Sequence, residues 1–227
     1  MATGKLVAFE GIDASGKGTQ AAMLASWARG MGLRVAELAF PRYAGSFYGE
    51  LVGRYLRGEF GDVRAQSPYL SALPYAGDRL EAIPAMRDAL DASDLVVVDR
   101  YVGSNAAHQG AKLPLSALPE FADWVHHLEF EVHRIPREDL VILLDMPVET
   151  AVALRRGRSA AVAADPDAAD IHERDVEYLS AVRVRYRWLA GQLQNWRVVA
   201  CAPRGELRSP GDIAGDIRAL VPPLVGG

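Results

Sequence analysis

Half of the 227 residues are hydrophobic, enough to bury one substantial core and within the length that a single α/β domain commonly fills. Lys plus Arg at 25 against Asp plus Glu at 29 leave a formal charge of −4, which excludes general attraction to nucleic acid or to an anionic membrane. No apolar run approaches the roughly 20 residues that cross a bilayer, and the chain enters a strand with no charged-then-apolar leader, so a cytoplasmic location is expected.

The first apolar segment, Leu6 to Phe9, reads as a buried strand, and Gly11-Ile12-Asp13-Ala14-Ser15-Gly16-Lys17-Gly18-Thr19 follows it directly. A helix is predicted from Gly16 to Met31, with Ala21, Leu24, Ala25 and Ala28 on one face and Gly30 and Gly32 at its end. Strand, glycine-rich loop and helix in that order suit a phosphate cradle. The glycines let backbone N–H groups converge, Lys17 supplies a point charge and the helix adds the positive end of its dipole, which together predict a bound nucleoside triphosphate. The alternative is a glycine-rich turn that binds nothing. Gly18 stands where Ser or Thr normally closes the pattern toward magnesium, and the hydroxyl comes one step later at Thr19.

The second strand is predicted from Arg34 to Ala39, followed by Phe40-Pro41-Arg42-Tyr43 and a helix from Ser46 to Leu56. The Pro-fixed turn either clamps an acceptor phosphate with Arg42 and Tyr43 or is a loop whose aromatic residue packs down. A long helix from Ser67 to Leu90 carries Tyr75, Asp78 and Arg79 at spacings that place Tyr75 and Arg79 on one face. An aromatic ring beside an arginine suits a nucleobase, while helical spacing alone favours core packing plus a solvated charge.

Leu95 to Asp99 is the third strand and the most hydrophobic run, and it ends on Asp99-Arg100. A carboxylate there can hold magnesium or its water shell, and the planar fork of Arg100 suits a pair of phosphate oxygens; the alternative is an ion pair capping a strand. A helix from Ala117 to His133 carries His126, His127 and His133 without metal-ligand spacing. The fourth strand, Leu140 to Asp145, leads to a helix from Val148 to Arg155, where the cluster Arg155-Arg156-Gly157-Arg158 opens an Ala- and Asp-rich stretch, Ser159 to Asp170, expected to be mobile. This reads as a lid, about residues 155–170, whose arginine reaches a transferring phosphoryl group, or as cations gathered at a helix C-terminus. The run Asp170-Ile171-His172-Glu173-Arg174-Asp175 then reads as a hinge and site wall, or as the capped start of a helix from Ile171 to Gln194. The last elements are a strand from Arg197 to Cys201 and a helix near Ala214 to Leu220. Cys201 is the single cysteine and excludes an internal disulfide; after Val198-Val199-Ala200 it reads as a buried core thiol in a reducing interior.

Alternation of strands and helices predicts one doubly wound α/β domain over residues 1–227, with a three-layer α/β/α sandwich around five parallel strands and ligands at the strands' carboxyl ends. Three segments then carry a family resemblance: Phe9-Glu10-Gly11-Ile12-Asp13 with Gly16-Lys17, Phe40-Pro41-Arg42-Tyr43, and Asp99-Arg100-Tyr101 with Ser104-Asn105 and Gln109-Gly110. With them the chain resembles, nearly end to end, the thymidylate kinases, P-loop enzymes that transfer a phosphoryl group from ATP to thymidine monophosphate in the supply of dTTP. The resemblance implies that residues Gly11 to Thr19 hold ATP and that Lys17 and Arg100 hold donor and acceptor phosphates. It implies that Asp13 approaches the acceptor sugar and phosphate and that Tyr43 lines the acceptor phosphate. Tyr75 would stack on thymine, with Arg79 and Asn105 on its edge, and Phe40, Arg42, Ser104, His108 and Gln109 would complete that pocket. Asp99 with Asp13 would serve Mg2+, one of Arg155, Arg156 and Arg158 would be the lid arginine, and a homodimer is implied, with the helix from Ala117 to His133 as its candidate face. His108 stands where relatives commonly carry a tyrosine that crowds a ribose 2′-hydroxyl. The readings left open are a monophosphate kinase for another base, a nucleotide-dependent switch, and a binding module without catalysis.

Overall fold

The computed structural model describes residues 4–63, 65–161 and 176–221, for 157–161 the backbone alone. Five strands, β1 (Lys5–Glu10), β2 (Val35–Ala39), β3 (Leu95–Asp99), β4 (Leu140–Asp145) and β5 (Trp196–Ala200), form one parallel sheet in the order β2-β3-β1-β4-β5. Their near-continuous apolar sequences follow from burial on both faces, and Leu6 to Phe9, Leu95 to Val98 and Ile142 to Leu144 are almost wholly inaccessible. The chain winds from β1 through α1 (Lys17–Gly30) to β2 and later returns from β3 across β1 to β4, so right-handed crossovers place α1 on one face and α5 (Val102–Gly110) and α8 (Val176–Gln192) on the other. Register sets Phe9 beside Asp99, Asp99 beside Ala39 and Glu10 beside Leu143, so the carboxyl ends of four strands meet at one edge, where the strand order reverses.

The expected fold class is what the structure shows, and helix boundaries differ where turn chemistry intervenes. The helix predicted from Ser67 to Leu90 is two helices, α3 (Pro68–Glu81) and α4 (Ile83–Ala92), broken at Ala82 because Pro84 in the first turn of α4 has no N–H to continue the ladder. The helix predicted from Ala117 to His133 is α6 (Leu118–His126) followed by a π-helical stretch, His127–Val132, in which His133 N reaches Leu128 O at 2.9 Å. The helix predicted to end at Arg155 is α7 (Val148–Ala161), since Gly157 alone among strong helix formers does not stop it. The last helix, α9 (Pro210–Leu220), starts before Ala214: Ser209 Oγ accepts from Asp212 N at 3.1 Å and Pro210 occupies the first helical position. The proposed hinge at 170–175 and the greater part of the lid, 162–170, lie outside the described residues.

Beside the main core, Val52, Tyr55 and Leu56 of α2 (Phe47–Leu56) form a satellite cluster with Val63, against which Tyr75 packs. Lys112 covers it, donating 2.7 Å to Tyr55 Oη and 2.9 Å to Ser71 Oγ with its ammonium 5.4 Å from the Tyr55 ring centre. Burial pushes the Lys112 ammonium down to about 8, against an attraction from Asp62. In the unfolded chain the group keeps its proton to a higher pH, so between about pH 8 and 10.5 the unfolded state binds more protons and Lys112 adds to stability as pH rises. The variant Lys112→Met should therefore show a flatter rise of Tm across the lower part of that window than the parent, measured by calorimetry in parallel buffers.

Candidate functional site

At the carboxyl end of β1 the backbone turns through Gly11 (φ 145°), Ala14 (φ 60°) and Gly16 (φ 92°), three residues in the left-handed region. A Cβ on Gly11 would lie 2.7 Å from Leu144 O, so this loop can lie against β4 only as glycine. Gly16 caps α1 with a left-handed residue, leaving the first N–H groups of α1 turned into the loop, and the buried Lys17 folds over it, donating to Gly11 O at 3.0 Å and Ile12 O at 2.8 Å. The Ser15 hydroxyl is buried with no hydrogen-bond partner among the described residues. The loop thus gathers N–H donors, a buried ammonium and an unsatisfied hydroxyl at the carboxyl end of β1.

Asp99 ends β3 facing that loop. Its Oδ1 is buried without a hydrogen-bond partner among the described residues, and a Cβ placed on Gly18 would sit 3.2 Å from its Oδ2. Burial raises the Asp99 carboxyl above the ordinary range, while Lys17 pulls it down and Glu10 pushes it further up. Two hard oxygens next to a phosphate cradle form a donor set that fits Mg2+. Thr19, the expected substitute hydroxyl, is exposed on α1.

Arg100 follows in a left-handed conformation (φ 64°), its N–H donating 3.0 Å to Phe9 O. Its guanidinium is paired with Asp13 and lies 3.4 Å from Ser104 Oγ and 3.3 Å from His108 Nε2. What secures this segment is Glu10, whose carboxylate has no exposed surface and accepts from Tyr101 N (2.8 Å), Ser104 N (2.8 Å), Ser104 Oγ (2.6 Å) and Tyr186 Oη (2.9 Å). Since α5 has no capping side chain of its own, Glu10 serves from the neighbouring strand as the acceptor for its first turn.

The third part of the site hangs on Asp78, also without exposed surface, which accepts from Arg42 N (2.7 Å), Arg42 Nε (2.9 Å) and Ser46 Oγ (2.5 Å) while its carbonyl takes Arg42 NH2 (2.8 Å). The turn at Phe40-Pro41-Arg42-Tyr43 is therefore clamped to α3, with Phe40 buried against Tyr101 and Tyr43 half exposed. Arg79 is no solvated charge: it is buried and paired with Glu129, which also accepts from Asn105 Nδ2 at 3.1 Å. Gln109 is likewise buried one turn after Asn105.

Loop, Asp99, Arg100, the Arg42 turn and the Arg79–Asn105 pair thus line one edge of the sheet. Of the basic cluster, Arg155 and Arg156 lie within α7, half-buried and exposed respectively, and the side chain of Arg158 lies outside the described residues. Sequence reading assigned no role to Glu10, Glu129 or the bidentate pair of Arg183 with Asp145 (2.6 and 3.1 Å) at the end of β4. Glu10 had a signal, a carboxylate closing a wholly apolar strand; Glu129 had one too, an acid on the apolar stripe Leu118, Ala122, Val125 of its helix. Among the described residues no cluster of His, Cys, Asp and Glu suits a metal by itself, and no helix is long and apolar enough to cross a membrane. Cys201 is buried as expected, its thiol pushed up to about 12 by burial.

A family model described as thymidylate kinase matches residues 9–207. A thymidylate kinase of Mycobacterium tuberculosis is 38% identical over 188 residues, covering 82% of this chain and 86% of that one. A thymidylate kinase of Thermomicrobium roseum is 34% identical over 200 residues, 85% of each chain, and a probable thymidylate kinase of Methanothermobacter thermautotrophicus is 34% identical over 97% of this chain and 95% of that one. A solved thymidylate kinase from Candida albicans shares the fold with a TM-score of 0.72 at 19% identity, over 97% of this chain and 92% of that one.

Because Asp78 takes three donors of the Arg42 turn on its two carboxylate oxygens, Asp78→Asn, which turns an amide NH2 toward a donor in place of one of those oxygens, should cost about 2–3 kcal/mol, read from the denaturant midpoint. Loss of the solvent-screened pair Arg34–Asp94 through Asp94→Asn should leave that midpoint nearly unmoved.

Proposed function

The chain belongs to the thymidylate kinase family, and we propose on that premise that it transfers the γ-phosphoryl group of ATP to thymidine 5′-monophosphate, giving dTDP and ADP. The observation that carries this reading is the meeting, at one sheet edge, of a phosphate loop with Lys17 folded into it and an arginine, Arg100, held by Asp13 at the end of the adjacent strand. A monophosphate oxygen is already ionised at neutral pH, so no strong base is required. The barrier lies in bringing two anions together in line, and cations from separate elements lower it by neutralising charge and fixing position.

In this reading residues Gly11 to Thr19 hold the ATP phosphates, with Lys17 as the charge on the outer ones, and Arg100 holds the acceptor phosphate. Asp13 positions Arg100 and meets the acceptor, Phe40, Arg42 and Tyr43 wall its phosphate end, and Tyr75, Arg79, Ser104, Asn105, His108 and Gln109 enclose the nucleoside. Asp99, with its orphaned buried oxygen, is the residue best suited to hold Mg2+, with Asp13 nearby through Arg100; a bound magnesium would polarise the transferring phosphate. One of Arg155, Arg156 and Arg158 supplies the closing charge from a lid near residues 155–170, and the whole chain is one kinase domain working in the cytoplasm, in keeping with its lone buried thiol. We also propose a homodimer. Its support lies on α3, where Leu70, Leu73 and Leu80 share one exposed side, whereas Leu118, Phe121 and Val125 of α6 are consumed by the protein's own core.

A coupled assay of ADP release tests the reading: release should depend on added TMP, exceed that with AMP, CMP or GMP, and fall at least about 10²-fold in Arg100→Ala with an unchanged circular dichroism spectrum. ATP consumption that is indifferent to any nucleoside monophosphate would overturn it.

A further inference from the structure

One terminal nitrogen of Arg100 is held by Asp13, and the other lies between two side chains of α5, 3.3 Å from His108 Nε2 and 3.4 Å from Ser104 Oγ. Ser104 and His108 stand four residues apart, so one face of α5 presents both to the guanidinium. A guanidinium only donates. His108 Nε2 must therefore accept, and the neutral imidazole must carry its proton on Nδ1. The Ser104 hydroxyl is the more distant acceptor and is itself engaged, donating to Glu10 at 2.6 Å and lying 3.0 Å from Tyr186 Oη. Packing restrains the half-buried imidazole as well: the rings of Tyr178 and Tyr186 on α8 lie 6.2 and 5.9 Å from it, and Tyr178 Oη donates to His108 O at 2.7 Å.

We infer that His108 is a positioning residue for Arg100 and a pH gate on acceptor transfer: as a neutral ring it holds the guanidinium in place for the monophosphate, and as an imidazolium it turns donor against donor and releases it. This rests on the proposed kinase reading and deepens it. The groups that face the ring are Arg100 at the end of β3, Asp13 of the phosphate loop, Ser104 on its own helix and Tyr178 and Tyr186 of α8, with Glu10 one hydrogen bond further away. Burial pushes the Tyr186 phenol well above its usual range, so it stays uncharged, and Glu10 already accepts from four donors. Asp13 is the carboxylate placed to offset a second cation, and Arg100 engages it. A proton on His108 thus sets a cation beside a cation and removes an acceptor in the same event. Imidazole changes charge between about pH 5 and 8, whereas the tyrosine that relatives commonly carry at this position would stay neutral there.

The test is kcat/KM for TMP in the full chain, measured from about pH 8 to about pH 5.5 in the parent and in His108→Gln. Glutamine offers an oxygen that accepts from Arg100 and does not titrate. Proton uptake by TMP, whose phosphate titrates near about pH 6, and by Asp99 is common to both proteins and cancels in their ratio. The parent-to-variant ratio should fall at least about fivefold across that range. His108→Phe, which keeps a ring beside Tyr178 and Tyr186 but has no acceptor, should lie at least about fivefold below His108→Gln at the upper end. A purely structural role would lower both variants alike, in step with Tm and at every pH. A ratio flat with pH overturns the inference, and so does one that rises on acidification because the imidazolium strengthens phosphate binding. Should neither variant fold, nitrogen NMR of the histidine-labelled parent decides: one ring must hold the Nδ1–H tautomer at the upper pH and lose it as TMP turnover falls, and its absence overturns the inference. A parent whose ADP release ignores TMP would instead overturn the kinase reading itself.

Discussion

A carboxylate with no access to water closes the central strand, and most of the site depends on how that charge is satisfied. Placing Glu10 in the core would be prohibitive without partners, because a buried ion that loses its hydration must recover it from the protein. The four donors it finds come from the start of α5, where Tyr101 N, Ser104 N and Ser104 Oγ point at it, and from Tyr186 of α8. The same bonds therefore set where α5 begins, and with it the left-handed turn at Arg100. A non-glycine residue in that region holds only where its surroundings over-determine it. Here the bond of Arg100 N to Phe9 O and the Glu10 clamp on the residues that follow supply the determination.

Cations of the site are held on the same plan. Arg100 has Asp13, Arg42 has Asp78, Arg79 has Glu129 and Arg183 has Asp145, each pair formed between different elements. A chain of net charge −4 cannot draw anionic substrates by its overall field, so local positive charge must be gathered at the sheet edge. Gathering arginines raises their mutual repulsion and invites them to bend into water, and a carboxylate behind each one counters both effects. Such pairs add little stability over apolar packing, but they fix the guanidinium plane, which matters for bidentate contact with phosphate or a base edge. Rigid placement before the ligand arrives is what a reaction governed by positioning needs.

The sheet was legible because strands buried on both faces leave continuous apolar runs, and all five were found within a residue or two of their ends. Helix ends were read less well for local reasons. Pro84 splits a helix whose apolar periodicity runs on, and the π stretch at His127–Val132 obeys no hydrogen-bond spacing that a 3.6-residue pattern reveals. Within the site, glycines and charges at strand ends announced the phosphate loop and Asp99-Arg100, because such residues have no reason to close an apolar run except a turn or a ligand. The acids that hold the arginines were harder to see. Asp78 sits on a helix where an acid reads as solvated until its distant partner is known; Glu129 stands on an apolar stripe that marks it as buried, but its partner Arg79 lies 50 residues away in the chain. Which partner such an acid finds is a property of the fold and leaves no local trace.

Gly18 shows how a departure from a motif can be read once its neighbour is known. With a side chain there, Cβ would lie 3.2 Å from Asp99 Oδ2, closer than such contacts settle comfortably. A side chain at residue 18 would thus require the Asp99 carboxylate to give by a few tenths of an ångström. Burial raises the Asp99 carboxyl, and of the two nearby charges Lys17 opposes that rise while Glu10 adds to it. A further cation between Lys17 and Asp99 would act in the same direction as Lys17, favouring the ionised carboxylate. With no hydroxyl at residue 18, the Asp99 carboxylate is the oxygen group that faces the start of α1, and its Oδ1 is buried with no hydrogen-bond partner among the described residues.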